Sequence, residues 1–191
     1  MERTILNTIR ALDTSDGAGV RLKRALGYNP MVRLDPFLML DAFSSDNPDN
    51  YIAGFPPHPH RGFETVTYLM EGHMKHRDHL GNEGDLQQGG VQWMTAGRGI
   101  IHEEMPQQQD GLLRGFQLWI NLPAAEKMKA AGYRDITDTE IPRLDLPKGG
   151  QIKAIAGEVT IGNQVISAPV KGGSTDPLYL DVKLRADETV T

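Results

Sequence analysis

Apolar residues recur at every second position in several short stretches of this chain. Val66, Tyr68 and Met70 share one side of the run 65–70, and Phe116, Leu118 and Ile120 do the same opposite Gln117 and Asn121. Leu178, Leu180, Val182 and Leu184 repeat the alternation around Tyr179, Asp181 and Lys183. Successive side chains of a strand point to opposite faces, so a period of two predicts β-strands. Turn signals separate the runs at Gly72, Gly81-Asn82-Glu83-Gly84, Gly89-Gly90 and Gly97-Arg98-Gly99. That spacing suits an antiparallel sandwich or barrel. One short helix is predicted over about 123–132, with Pro123 in its first turn, an Ala-, Lys- and Met-containing body, and Gly132 at the cap. It reads as a bridge between a β domain over 1–134 and a second β segment over 135–191, opened by Pro142, Pro147 and Gly149-Gly150.

A length of 191 residues holds one full domain and part of a second. The 21 Gly and 12 Pro fit an all-β chain with many turns. Lys and Arg number 20 against 25 Asp and Glu, a net charge of −5. Without a basic surplus to neutralise phosphates, nucleic acid is not expected as a direct ligand. The chain has no Cys, which removes disulfides and thiolate chemistry. The start, Met1 to Asn7, lacks an apolar signal core, and no run approaches the roughly 18 apolar residues of a membrane span. The expected location is the cytoplasm, away from membranes.

The candidate chemistry lies in His58-Pro59-His60 and His102-Glu103-Glu104. Residues two apart on a strand face the same way, roughly 7 Å apart, so the members of each pair can converge on one ion about 2 Å from each donor. His58, His60, His102 and Glu104 together offer nitrogen and oxygen ligands and leave one or two positions of the ion open, a catalytic rather than a structural arrangement. A His-Pro-His taken alone reads as a turn; the second pair is what shifts the reading. Of His73, His76 and His79, the first two differ in strand parity and Asp78 shares the face of His76, so the group reads as a solvated strand end. Trp93 and Trp119, with Phe116 and Met94, suit either a barrel core or the wall of a pocket for a planar aromatic molecule.

His58-Pro59-His60 with Glu64, followed by Gly97-Arg98-Gly99-Ile100-Ile101-His102, resembles the two metal-binding motifs of cupins. Seven residues rather than six separate Glu64 from Gly72, Gly97 stands where Pro is usual, and no Asn follows the last His. Those departures, together with Asp35-Pro36-Phe37-Leu38-Met39-Leu40-Asp41, the stretch 92–106 and Gln117-Leu118-Trp119-Ile120-Asn121-Leu122, resemble the pirin branch from about Gly17 to the last residue. The resemblance implies an all-β fold of cupin-type antiparallel jelly-roll barrel with a partial second cupin segment. It implies a divalent metal held by His58, His60, His102 and Glu104, iron first, with Cu, Ni, Co, Mn or Zn as alternatives. Glu64 is then expected to orient a ligand imidazole, and Glu103 to face away. Two kinds of role follow from the same resemblance. One is a quercetin 2,3-dioxygenase that opens the central ring of flavonols, with Glu104 as proton acceptor and a flavonol or other small aromatic substrate. The other is an iron-binding regulator that contacts a transcription factor or metabolic enzyme. The second segment stops after the strand around Leu180, and its open sheet edges are expected to favour homo-oligomers.

Overall fold

The computed structural model describes residues 5–29 and 31–190. Its strands, in chain order, are β1 (Leu12–Asp16), β2 (Val20–Leu26), β3 (Phe37–Ser45), β4 (Phe55–His60), β5 (Phe63–Glu71), β6 (His73–Asp78), β7 (Glu83–Gln87) and β8 (Val91–Thr95). They continue with β9 (Ile100–Pro106), β10 (Leu113–Asn121), β11 (Gly132–Ile136), β12 (Arg143–Asp145), β13 (Gln151–Ala156), β14 (Glu158–Ile161), β15 (Gln164–Ser167) and β16 (Tyr179–Lys183). A seven-stranded sheet in the order β1-β2-β3-β10-β5-β8-β11 faces a four-stranded sheet in the order β4-β9-β6-β7. All their pairings are antiparallel, and the architecture is the cupin-type jelly roll the sequence implied. Val20, Leu22, Phe43, Leu69, Met74 and Leu86 fill part of the space between the two sheets.

The seven-stranded sheet is covered on both faces, and β5 shows how. Its residues from Glu64 to Leu69 are all buried. Leu69 packs between the sheets. Val66 and Tyr68, of the opposite parity, join Leu118, Ile120 and Trp93 in a second core that includes Ile155 and Ala156 of β13. The apolar alternation seen in the sequence therefore marks the face turned to the C-terminal segment. The opposite parity, which reads as polar, lines the jelly-roll interior. Register makes this a continuous row: Arg24, Asp41, Gln117, Thr67, Gln92 and Asp135 lie side by side across six strands.

The C-terminal residues form the sheet β12-β13-β16 and the hairpin β14-β15 around Leu146, Ile152 and Ile166. Buried Lys153 ties this part to the first, its Nζ donating to Asp138 Oδ1 at 2.7 Å and to the Gly89 carbonyl at 3.1 Å. Tyr68 Oη donates to Asp181 Oδ2 at 2.7 Å beside it.

The predicted helix is much shorter than its composition suggests. Over 123–132 the chain makes a single 3-10 turn, Ala124–Glu126, and Gly132 opens β11 instead of capping a helix. A stretch of ten residues is too short to hold a helix by propensity alone. Tertiary bonds dictate its path: Lys127 Nζ donates to the Gly62 carbonyl and Asn121 Oδ1, and the Lys129 carbonyl accepts from Arg98 N. β11 then crosses the expected boundary at 134 and pairs with β8. No helix among the described residues is long and apolar enough to cross a membrane.

Candidate metal centre

Strands β4 and β9 carry the site because their register sets His58 opposite His102 and Phe55 opposite Glu104. Close approach of the strands depends on Gly54, whose φ is +61° and where a Cβ would lie 2.8 Å from the Glu104 carbonyl oxygen. Only glycine adopts that backbone at low cost with so little room. Pro59 and Ile101 take the outward parity between the functional pairs.

The donor nitrogens of His58, His60 and His102 lie within 4.8 Å of one another. His58 Nε2 and His102 Nε2 are 3.1 Å apart. Two nitrogens each about 2.0–2.1 Å from one ion are separated by roughly 2.9–3.4 Å for bond angles between octahedral and tetrahedral, so this spacing fits a shared first-row ion. The protonation states fit as well. His58 Nδ1 is 2.8 Å from the Pro56 carbonyl, which can only accept, so Nδ1 carries a proton and Nε2 is the nitrogen turned toward His102. Burial, and then charge on His58, lowers the His60 pKa to about 4. Burial also holds His102 far below the usual imidazole value, with His58 and His60 adding to the effect. Neutral imidazoles are the form that ligates a cation.

His58, His60 and Glu104 line a cavity of about 230 Å³ between the sheets. Leu22, Met39, Phe43, Phe55, Met74 and Trp119 supply its apolar wall. Trp119 packs edge-on to His60 at 5.1 Å between ring centres, whereas Trp93 belongs to the core on the far face of the sheet. Met94 and Phe116 are core residues too.

Glu104 shares this cavity but lies outside the group of nitrogens that converge within 4.8 Å. Its Oε1 is 2.9 Å from Thr67 Oγ1, which in turn is 2.5 Å from the Gln117 side-chain amide. A hydroxyl has one proton, so when Thr67 donates to the Glu104 carboxylate, the Gln117 amide turns its NH₂ to the hydroxyl oxygen. Burial pushes the Glu104 carboxyl above the usual carboxylate range, while Thr67 and then His58 oppose the shift. Glu103 has the other parity and reaches Arg77 at 3.9 Å.

Two expectations need correction. Glu64 accepts from Thr95 Oγ1 at 2.6 Å instead of holding a ligand imidazole. It has the parity of Val66 and Tyr68, which points away from the cavity. His76 is not part of a solvated strand end. It is 2 % exposed, and its Nδ1 lies 3.3 Å from His102 Nδ1. His73, half-buried and paired with Asp85, and His79, exposed and accepting from Ile101 N, are the ones nearer solvent. The alternation of buried Met74 and His76 on β6 was the only local signal. The contact itself comes from the pairing of β6 with β9, which sets His76 opposite Glu104.

Residues 19–120 match the family described as Pirin. A Pseudomonas aeruginosa protein provisionally named a quercetin 2,3-dioxygenase is 54% identical over 184 residues, which are 96% of this chain and 65% of that protein. Human pirin is 42% identical over 179 residues, covering 93% of this chain and 58% of its own. The crystal structure of quercetin 2,3-dioxygenase from Acinetobacter baumannii aligns with a TM-score of 0.75 at 34% identity, over 85% of this chain and 58% of that one. The chain thus spans about two thirds or less of the length of these relatives. The matched region contains His58, His60, His102 and Glu104 and the strands that set the two pairs face to face, and on that ground the chain belongs to the pirin family.

Proposed function

We propose that this chain is the metal-bearing part of a pirin-type dioxygenase that opens the central ring of flavonols such as quercetin with O₂. The observation that carries the reading is the convergence of three imidazoles, two of them held neutral by burial, beside a cavity whose wall also holds a buried, proton-seeking carboxylate. The quercetin 2,3-dioxygenase names of the Pseudomonas and Acinetobacter relatives supply the substrate class.

In this reading His58, His60, His102 and Glu104 hold one divalent ion, iron first. An ion so bound would supply Lewis acidity toward the substrate hydroxyl, which is acidified and presented to O₂. Glu104 accepts the proton of that hydroxyl, helped by the burial that raises its basicity and by Thr67, which steadies the carboxylate. For Glu104 to join the imidazoles as a ligand, its carboxylate would offer the ion the oxygen that Thr67 does not hold. The volume of about 230 Å³ lies below the roughly 300–1,000 Å³ that encloses a drug-sized ligand. A flavonol therefore seats its hydroxyl-ketone edge against the imidazoles, between apolar walls that exclude water, and leaves its far ring at the mouth.

The test is metal analysis of protein purified without a chelating tag, followed by oxygen consumption with quercetin. About one ion per chain and flavonol-dependent oxygen uptake that stops on chelation are expected. Two ions per chain, or none after incubation with ferrous iron, would overturn the site; a fully loaded protein that consumes no oxygen with flavonols would overturn the activity.

A further inference from the structure

We propose that Asp16 selects the substrate at the rim of the metal cavity, as a fixed carboxylate that accepts a hydroxyl of an uncharged polyphenol and turns away aromatic acids. The inference rests on the flavonol reading above and adds to it the recognition of the ring that stays at the mouth.

The composition of the cavity wall sets the sign of the selection. Asp16, Asp41 and Glu104 line it, and among the described residues no Lys or Arg does. Arg24 stands outside that lining, where its Nε donates to Asp41 Oδ1 at 2.8 Å and its Nη2 to Asp41 Oδ2 at 2.7 Å. The same Nη2 donates to Asp16 Oδ2 at 2.7 Å. One guanidinium thus clamps two carboxylates in unlike surroundings. Asp41 is buried and held through both oxygens, whereas the Asp16 side chain is 49 % exposed. A side chain that lines the cavity and is still half open to solvent stands where the two meet.

The backbone fixes that place. Asp16 ends β1, and Gly17, Ala18 and Gly19 turn the chain into β2. Ala18 N donates at 3.0 Å to the carbonyl of Gly54, the residue before β4, so the turn is tied to the strand that carries His58 and His60. At Gly17 φ is +58° and a Cβ would lie 2.6 Å from Phe55 Cδ1, which leaves the turn pressed against the aromatic wall. Gly17 N donates to Asp16 Oδ1 at 2.8 Å. Burial opposes ionisation of Asp16, but the bonds from Arg24 and Gly17 outweigh it and hold the carboxyl below the usual carboxylate range. Its charge is felt at His58 and His60. Each of its oxygens has accepted one hydrogen bond and keeps a lone pair for another. A phenolic hydroxyl on the far ring is the donor that fits. A carboxylate there would meet a like charge, with no Lys or Arg on the described wall to answer it.

The test is equilibrium binding to the full chain loaded with Zn²⁺, read by quenching of tryptophan fluorescence. Three ligands share the hydroxyl-ketone edge and differ in the far ring: quercetin, 3-hydroxyflavone and 3-hydroxyflavone-4′-carboxylate. The wild type should bind quercetin roughly tenfold more tightly than 3-hydroxyflavone, the low end for a hydrogen bond to a charged group because Asp16 is half exposed, and the acid most weakly. Asp16→Ala should lose the quercetin advantage, keep 3-hydroxyflavone within about twofold of wild type, and bind the acid more tightly than wild type does. Asp16→Asn, which keeps a neutral acceptor, should retain part of the quercetin advantage and gain affinity for the acid. A wild type that does not distinguish quercetin from 3-hydroxyflavone would overturn the inference alone. So would an Asp16→Ala that weakens both equally, because the role would then be one of shape. A zinc-loaded wild type that binds none of the three would overturn the flavonol reading together with it.

Discussion

Thr67 Oγ1 meets Glu104 Oε1 at 2.9 Å across the interior of the jelly roll, joining β5 of one sheet to β9 of the other. The bond holds a buried carboxylate of the cavity wall. Thr67→Val removes the donor and leaves the shape nearly unchanged. Losing a hydrogen bond to the charged form disfavours that form, so the Glu104 pKa rises further. The acidic limb of the turnover profile should therefore move to higher pH, and an unshifted limb in the variant would count against Glu104 as the base.

Neighbouring carboxylates give a sharper contrast. Glu104→Gln keeps the volume and removes the proton acceptor, so flavonol turnover should fall by roughly 10²–10⁴. Glu103→Gln should leave turnover near wild type, because its side chain lies on the other face of β9 beside Arg77. Steady-state rates of the two variants, corrected for metal content, decide the strand register; a damaged Glu103→Gln with a silent Glu104→Gln would refute it.

Acid should weaken the metal-free protein in a defined window. The folded-state pKa of His60 is lowered to about 4 from the model-peptide value of 6.5, so between these values the unfolded chain binds more protons than the folded one. Stability contributed by the neutral ring is complete above about 6.5 and is lost as pH falls toward about 4. Melting temperature measured in this range should drop with pH, and more shallowly in His60→Asn.

Lys153 stands where the C-terminal segment meets the jelly roll. Lys153→Met leaves Asp138 without its buried partner and the Gly89 carbonyl without a donor. The expected loss is about 2–3 kcal/mol, below the range for a fully buried pair because Asp138 is partly exposed. For a chain of this size that is a fall of roughly 5–10 °C in melting temperature, measurable by calorimetry.

Much of this was legible in the chain. Alternation announced β5 and β10 because a strand's period is local, and His58 with His60 or His102 with Glu104 announced themselves because residues two apart share a face. His76 did not, since its meaning lies in the register between β6 and β9, which no local pattern encodes. Thr67 and Gln117 fall on the parity opposite the apolar one and carried no signal of the site for a related reason. Sequence shows that a strand has two unlike faces but not which one turns to a core and which to a cavity. The stretch after Pro123 misled because composition favours a helix there, while bonds from Lys127 to Gly62 and from Arg98 to Lys129 decide its path.

The central position of β10 sets the order in which this protein can be assembled. It pairs with β3 on one side and β5 on the other, yet it follows both by a long stretch of chain. During synthesis at the usual pace, those two strands wait on the order of ten seconds with one edge each unpaired before the strand that separates them leaves the ribosome. Until then their open edges are free to join each other or a neighbouring nascent chain. Formation of the jelly roll is thus an insertion between two waiting edges, with the slow, non-local closure that such a topology imposes.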